Sequence, residues 1–347
     1  MWRLEIDEIY MRRALQLAAA GKGWASPNPM VGAVIVCDGK IIGEGYHRRF
    51  GGPHAEVNAI NSVVDKSFLR ESTMYVTLEP CAHYGKTPPC ANLIVDVGIP
   101  RVVIGSVDPF SKVGGRGIGI LREAGIEVSV GVLEHECREL NVKFMTAHTR
   151  RSPYVTLKWA QSSDGFTDSI RNSGTQAQRF STSLSSVAVH ALRADNDVIL
   201  TGAGTVIADN PRLDVRLIDG RSPRIAVLDR RGRCDASSHV FEREGTIYFT
   251  SVVRRDLPDG VVQVEMPLGA GLDFVLDYLY RCGAVSVLVE AGATLLKSFI
   301  EAGLWDKARI EIAPFALGEN GVGRMLIPKG TLTESTLDGN TVITVSN

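Results

Sequence analysis

Apolar positions along this chain follow two alternating rhythms: short β-branched runs with strand character, and stretches with apolar residues three and four apart. Asp7 stands where an N-cap belongs, which predicts a helix from there to Ala20 with Gly21 as its stop. Residues 31–37 and 41–46 predict a hairpin, because Asp38-Gly39 separates two β-rich runs. Helices are expected over 54–64, 90–97 and 117–124, and strands over 74–78, 101–107 and 127–132. A polar stretch, 147–153, then precedes a fresh strand at 154–159 and sets the domain boundary.

The alternation resumes beyond it, with strands at 197–201, 224–228, 246–250, 286–290, 308–313 and 341–345. Helices are expected at 183–193, 273–282 and 293–302. This is an α/β pattern in two domains, 1–148 and 151–347, without internal repeat or low-complexity tract. A chain of 347 residues suits two domains.

Charge changes the picture only by exclusion. The 38 Lys plus Arg offset 39 Asp plus Glu, so no basic surplus is available to hold a nucleic-acid backbone. Apolar runs fall far short of the ~20 residues of a membrane span. The first residues lack a basic segment followed by an apolar run, so a cytoplasmic protein is expected.

Four of the six cysteines, Cys37, Cys137, Cys234 and Cys282, read as small buried hydrophobes. Cys81 and Cys90 share a Gly/Pro-rich stretch and belong with Pro53-His54-Ala55-Glu56. One imidazole and two thiolates suit Zn²⁺ and leave a fourth position for water, whose pKa the metal would bring toward neutrality. Glu56 lies two residues from His54, off its helix face, and fits a proton shuttle better than a ligand. Cys90 should open a helix whose N-terminus favours a thiolate. A structural zinc site with His83 as fourth ligand stays open on these residues alone.

The pattern resembles the zinc deaminases, with eight residues between the cysteines instead of two. Pro27-Asn28-Pro29-Met30-Val31-Gly32, Gly43-Glu44-Gly45-Tyr46-His47, Leu78-Glu79-Pro80-Cys81 through Lys86-Thr87-Pro88-Pro89-Cys90, and Val107-Asp108-Pro109 narrow it further. Together these segments resemble the bifunctional deaminase/reductase family of riboflavin biosynthesis. The resemblance implies a cytidine-deaminase-like three-layer domain. It also implies removal of the 2-amino group of 2,5-diamino-6-ribosylamino-4(3H)-pyrimidinone 5′-phosphate, in a pocket lined by Asn28, His47, His83 and Lys86. An amide can pair with the ring edge, and cationic or imidazole groups suit the phosphate.

Of the two glycine-rich runs, Gly115-Arg116-Gly117-Ile118-Gly119 in the first half and Gly202-Ala203-Gly204 in the second, neither has the strand and helix context of a dinucleotide fingerprint. The strand-turn-helix pattern at 287–296 offers helix-start N–H groups to a phosphate, or is a plain turn. Lys158, Ser163-Asp164-Gly165, Leu192-Arg193-Ala194, Gly204-Thr205-Val206, Ala208-Asp209-Asn210-Pro211 and Glu290-Ala291-Gly292 resemble the family's reductase half, which is dihydrofolate-reductase-like and uses NADPH. Carried over by position, Ala160, Thr205, Asp209, Gly292, Ala293 and Thr294 should contact NADPH. Lys158, Arg193, Leu213, Arg216 and Glu290 should contact the substrate, whose ribosyl group is reduced to ribityl.

Residues 177–182, Ala-Gln-Arg-Phe-Ser-Thr, depart from the Ser-x-Trp-Ile-Thr of many members, and Arg179 is a candidate for the 2′-phosphate of NADPH or a solvated loop charge. Two alternatives remain. In one only the deaminase works, beside a degenerate nucleotide-binding module; in the other the chain deaminates nucleic acid. A homodimer or homotetramer is expected.

Overall fold

The computed structural model describes residues 2–82, 88–109, 114–171 and 177–347. Two compact units result, Met1–Arg151 and Ser152–Asn347.

The first unit runs α1 (Trp2–Ala19), β1 (Gly32–Cys37), β2 (Lys40–Tyr46), α2 (Ala55–Ser62), β3 (Thr73–Leu78), α3 (Cys90–Val97), β4 (Arg101–Ser106), α4 (Arg116–Glu123), β5 (Glu127–Val130), α5 (Glu134–Leu140) and α6 (Val142–Arg150). The sheet order is β2-β1-β3-β4-β5. β1 is antiparallel to β2 and β3, while β3, β4 and β5 are parallel. Alternate residues of β1 enter different cores: Ala33 and Ile35 pack with Ala59 of α2 and Ile94 of α3. Val34 and Val36 pack with Met11 and Ala14 of α1 and Cys137 of α5. Burial on both faces explains the near-continuous apolar strands and gives three layers.

The hairpin forms as its turn requires, with Asp38 at φ 48° and Gly39 at φ 72°. Gly45 lets α2 lie close on β2, since a Cβ there would stand 2.2 Å from the Ala59 nitrogen.

Asp7 is not an N-cap. It lies inside α1, buried, where its carboxylate accepts from the Tyr75 hydroxyl at 2.9 Å and from Arg101 at 3.0 and 2.7 Å. A buried carboxylate facing a sheet needs such partners, and the guanidinium supplies a bidentate pair. The polar stretch 147–153 begins within α6, whose Met145 and Ala147 are buried, and the two units divide inside it, between Arg151 and Ser152. Cys282 is exposed, unlike Cys37, Cys137 and Cys234.

The second unit runs β6 (Tyr154–Gln161), β7 (Phe166–Ser169), α7 (Ser183–Ala194), β8 (Val198–Gly202), α8 (Ala203–Asp209), β9 (Arg224–Leu228), β10 (Ile247–Thr250), β11 (Val262–Glu265), α9 (Leu272–Arg281), β12 (Ser286–Glu290), α10 (Ala293–Glu301), β13 (Lys307–Ile312), β14 (Gly321–Arg324), β15 (Thr331–Leu337) and β16 (Asn340–Ser346). Nine strands order as β11-β10-β9-β8-β12-β6-β13-β16-β15, and β14 pairs with β7. All pairs from β11 to β13 are parallel; β16 is antiparallel to β13 and β15. Lys158 stands beside Glu290 in register, near the carboxyl ends of β6 and β12, and β8 ends alongside at Gly202. Open parallel sheets bind ligands at such strand ends.

Two candidate active sites

In the first unit, β3 delivers Cys81, α3 begins at Cys90, and His54 caps α2 from the extended region. The three donor atoms lie within 4.8 Å of one another. His54 Nδ1 is 3.5 Å from Cys81 Sγ and 3.3 Å from Cys90 Sγ. A nitrogen and two sulfurs at this spacing fit a tetrahedral zinc with an open position. The Cys90 N–H donates to Cys81 Sγ at 3.3 Å, so the start of α3 stabilises the Cys81 thiolate rather than that of Cys90. Cys90 and then His54 push the Cys81 thiol down to about 4. The Cys90 thiol moves up, beside that thiolate and in a buried place.

Glu56, in the first turn of α2, is buried next to this cluster. Burial, reinforced by the Cys81 charge, pushes its carboxyl up to about 7. Such a group can hold or release a proton near neutral pH.

His47 and Asn28 meet beside the cluster, at 3.1 Å between His47 Nε2 and Asn28 Nδ2. His47 Nδ1 lies 3.0 Å from the Pro53 carbonyl, which can only accept, so the ring's proton sits on Nδ1 and Nε2 accepts from the Asn28 amide. Burial lowers the His47 pKa, against the Pro53 bond. Both His47 nitrogens are thus engaged, and the imidazole orients Asn28. Asn141, between α5 and α6, adds two 2.8 Å bonds to the Met30 backbone. His83 and Lys86 lie outside the described residues.

In the second unit a cavity of about 970 Å³ opens at the ends of β6, β8, β9 and β12. Ala160, Thr205, Asp209, Leu213, Gly292 and Thr294 line it. Ala293 does not, although it opens α10. The Gly292 N–H donates to Thr205 Oγ1 at 3.0 Å, and Asp209 is already paired with Arg171 at 2.6 Å. A second cavity, about 580 Å³, is lined by Arg179 and Arg216. Lys158, Arg193 and Glu290 line both. Arg179 therefore lines the smaller cavity and not the larger, which does not favour the 2′-phosphate alternative for it. The backbone turns back at Ser181, whose carbonyl accepts from Arg179 Nε at 3.1 Å, while Ser181 Oγ is held by buried Glu311 at 2.9 Å.

Glu290 accepts from Arg193 Nε at 2.7 Å and pairs with Lys158 at 3.6 Å. Burial opposes its ionisation, but Arg193 and Lys158 outweigh it and hold the carboxyl below its ordinary value. Arg230, Arg231 and Arg233 also line the larger cavity. Three arginines within five residues of the end of β9 at Leu228 are a signal visible in the sequence.

Residues 4–106 match the cytidine and deoxycytidylate deaminase zinc-binding region, and residues 153–346 match the RibD C-terminal domain. The riboflavin biosynthesis protein RibD of Aquifex aeolicus is 42% identical over 91% of this chain and 89% of its own. The chain belongs to the RibD family. RibD of Escherichia coli is 38% identical over 93% and 91% of the two chains. Among solved structures, Acinetobacter baumannii RibD superposes with a TM-score of 0.91 at 35% identity, covering 99% of each chain. The Thermotoga maritima diaminohydroxyphosphoribosylaminopyrimidine deaminase/5-amino-6-(5-phosphoribosylamino)uracil reductase gives 0.88 at 36%, again over 99% of each.

Like RibD, this chain is a bifunctional deaminase and reductase of riboflavin biosynthesis, joining a cytidine-deaminase-like and a dihydrofolate-reductase-like fold. Its cofactors are zinc and NADPH. A deaminase with an idle second half is not favoured, since the RibD relatives match through both halves. Among the described residues, no helix is long and apolar enough to cross a membrane.

Proposed function

We propose that His54, Cys81 and Cys90 hold the zinc and that Glu56 carries the proton in deamination of 2,5-diamino-6-ribosylamino-4(3H)-pyrimidinone 5′-phosphate. The observation that carries this reading is the buried Glu56 carboxyl beside three mutually adjacent N and S donors. Zinc, when bound, supplies a Lewis acid that brings the pKa of water toward neutrality. Glu56 takes the proton of the attacking water and returns it to the departing amine. Asn28, oriented by His47, pairs with the ring edge. His83 and Lys86 are proposed for the phosphate end.

In the reductase, NADPH when bound would supply a hydride to C1′ of the ring-opened ribosylamine, which leaves the ribityl chain. Lys158, Arg193 and Glu290, lining both cavities, are proposed to stand where cofactor and substrate meet. Glu290 stays ionised between two cations and accepts sugar hydroxyls. Arg216 is proposed for the substrate phosphate, and Leu213, on the wall of the larger cavity, for an apolar contact with the substrate. Ala160, Thr205, Asp209, Gly292, Ala293 and Thr294 are proposed for the NADPH side, with the Arg230 to Arg233 cluster giving that cavity the positive charge a nucleotide phosphate needs.

With substrate and NADPH, the zinc-loaded protein is expected to release ammonia and then consume NADPH. Cys81→Ser should lose zinc. Glu56→Ala should keep zinc, lose deamination by at least about a hundredfold, and still reduce substrate that is already deaminated. Zinc loss in Glu56→Ala would overturn the shuttle role. A cytoplasmic setting is part of the proposal and suits six cysteines outside any disulfide. So is a homodimer or homotetramer, to be read by light scattering.

A further inference from the structure

The segment carrying Arg216 has no regular structure and is held by side chains. Leu213 takes a left-handed backbone at φ 50°, and the Val215 N–H donates to Ser222 Oγ at 2.9 Å. Two residues of α7 grip the stretch between and beside them. Arg193 Nη1 donates to the Asp214 carbonyl at 3.0 Å, and the Arg216 N–H donates to His190 Nδ1 at 3.0 Å. Three positions apart, His190 and Arg193 share one helix face.

His190 is only 4% exposed, yet it lines the smaller cavity with Arg193, Arg216 and Glu290. A backbone N–H can only donate, so His190 Nδ1 carries no proton and the neutral ring keeps its proton on Nε2. Burial, with Arg193 and Arg216 outweighing Asp214 and Glu290, favours this neutral form.

We propose that His190 is a positioning residue of the reductase, whose Nδ1 fixes the backbone of Arg216 and thereby the place where that guanidinium meets the substrate phosphate. The inference rests on the reading of Arg216 as the phosphate partner. A histidine that merely fills the core would affect folding, or all ligands alike. A positioning histidine affects one end of one ligand.

The test compares His190→Asn, His190→Gln and Arg216→Ala by steady-state reduction of the deaminated substrate and of its dephosphorylated form. Asparagine can place an amide oxygen where Nδ1 stands, whereas the glutamine amide reaches the Nε2 position, so the two polar variants separate the acceptor from mere bulk. His190→Gln is expected to raise KM for the phosphorylated substrate about tenfold, the effect of one lost hydrogen bond. Its kcat, its KM for NADPH and its KM for the dephosphorylated substrate should stay within about twofold. His190→Asn should recover most of the loss, with thermal melting close to the parent in both variants. Equal KM in the two variants, or an equal rise with the dephosphorylated substrate, overturns the role of His190. If Arg216→Ala leaves the phosphate-dependent KM unchanged, the reading of Arg216 fails. If Arg216→Ala raises that KM and His190→Gln does not, only the inference about His190 fails.

Discussion

His47 shows how a residue type can suggest a chemistry that its surroundings revoke. An imidazole in a phosphate-binding enzyme invites a charged role, but the Pro53 carbonyl takes one nitrogen and the Asn28 amide the other. The two side chains then act through one bond. Asn28→Ala and His47→Phe should each raise the deaminase KM about tenfold, and the double variant should cost little more than either alone. Additive losses, measured by ammonia release, would show independent roles. The meeting of His54, Cys81 and Cys90 was legible because a His and two Cys in such motifs suggest one shared chemistry. The states of His47 and His190 were not, since they depend on backbone carbonyl and N–H groups that only the fold brings to the rings.

At the scale of elements, α4 shows where local patterning runs out. Its start carries no capping side chain of its own, and Gly115, Gly117 and Gly119 make it a poor isolated helix. Glu79, at the end of β3, supplies the cap from across the sheet. Its carboxylate accepts from the N–H groups of Gly117 at 2.9 Å, Gly115 at 3.0 Å, Ile118 at 3.2 Å and Asp108 at 3.3 Å. Leaving these donors bare in Glu79→Ala, the buried Gly117 and Ile118 N–H groups above all, should destabilise the unit by about 3 kcal/mol in urea unfolding. Cys81 is two residues on, so zinc should also leave faster to a chelator; unchanged stability would refute the cap. Elements with strong periodicity, such as α3, β9 and β12, were readable to within a residue. β15 was missed because it is exposed along almost its whole length, α8 because it opens on Ala-Gly, and β7 because four residues hold no rhythm.

For the whole molecule, the division into two catalytic halves was legible from motifs. The helix α6 that leads into the boundary was not, because its two buried residues stand among polar and charged ones. The second unit also concentrates carboxylates that ionise below their ordinary range. Ser162, with the Gly318 and Leu317 N–H groups, holds Asp164 down to about 2, against a lesser opposing effect of burial. Glu290, Glu311, Asp214 and Asp229 are lowered too, in each case because partners outweigh burial. A carboxyl with a depressed folded pKa binds fewer protons than the unfolded chain, so its stabilisation is complete above about pH 4.5 and is lost toward pH 2. Calorimetric melting should therefore hold between pH 7 and 5 and fall steeply below 4. Glu290→Gln should flatten that fall; an unaltered slope would show that Glu290 does not contribute.

The order of strands in the nine-stranded sheet reaches beyond the finished enzyme. β6 is the first strand of its unit to be synthesised, yet its neighbours are β12 and β13, more than a hundred residues downstream. A ribosome can release the deaminase half ready to close while Val155, Leu157 and Trp159 still wait with both strand edges bare. The reductase half is thus the slow and aggregation-exposed part of biosynthesis, and chains halted before Ser286 are the ones that should engage chaperones.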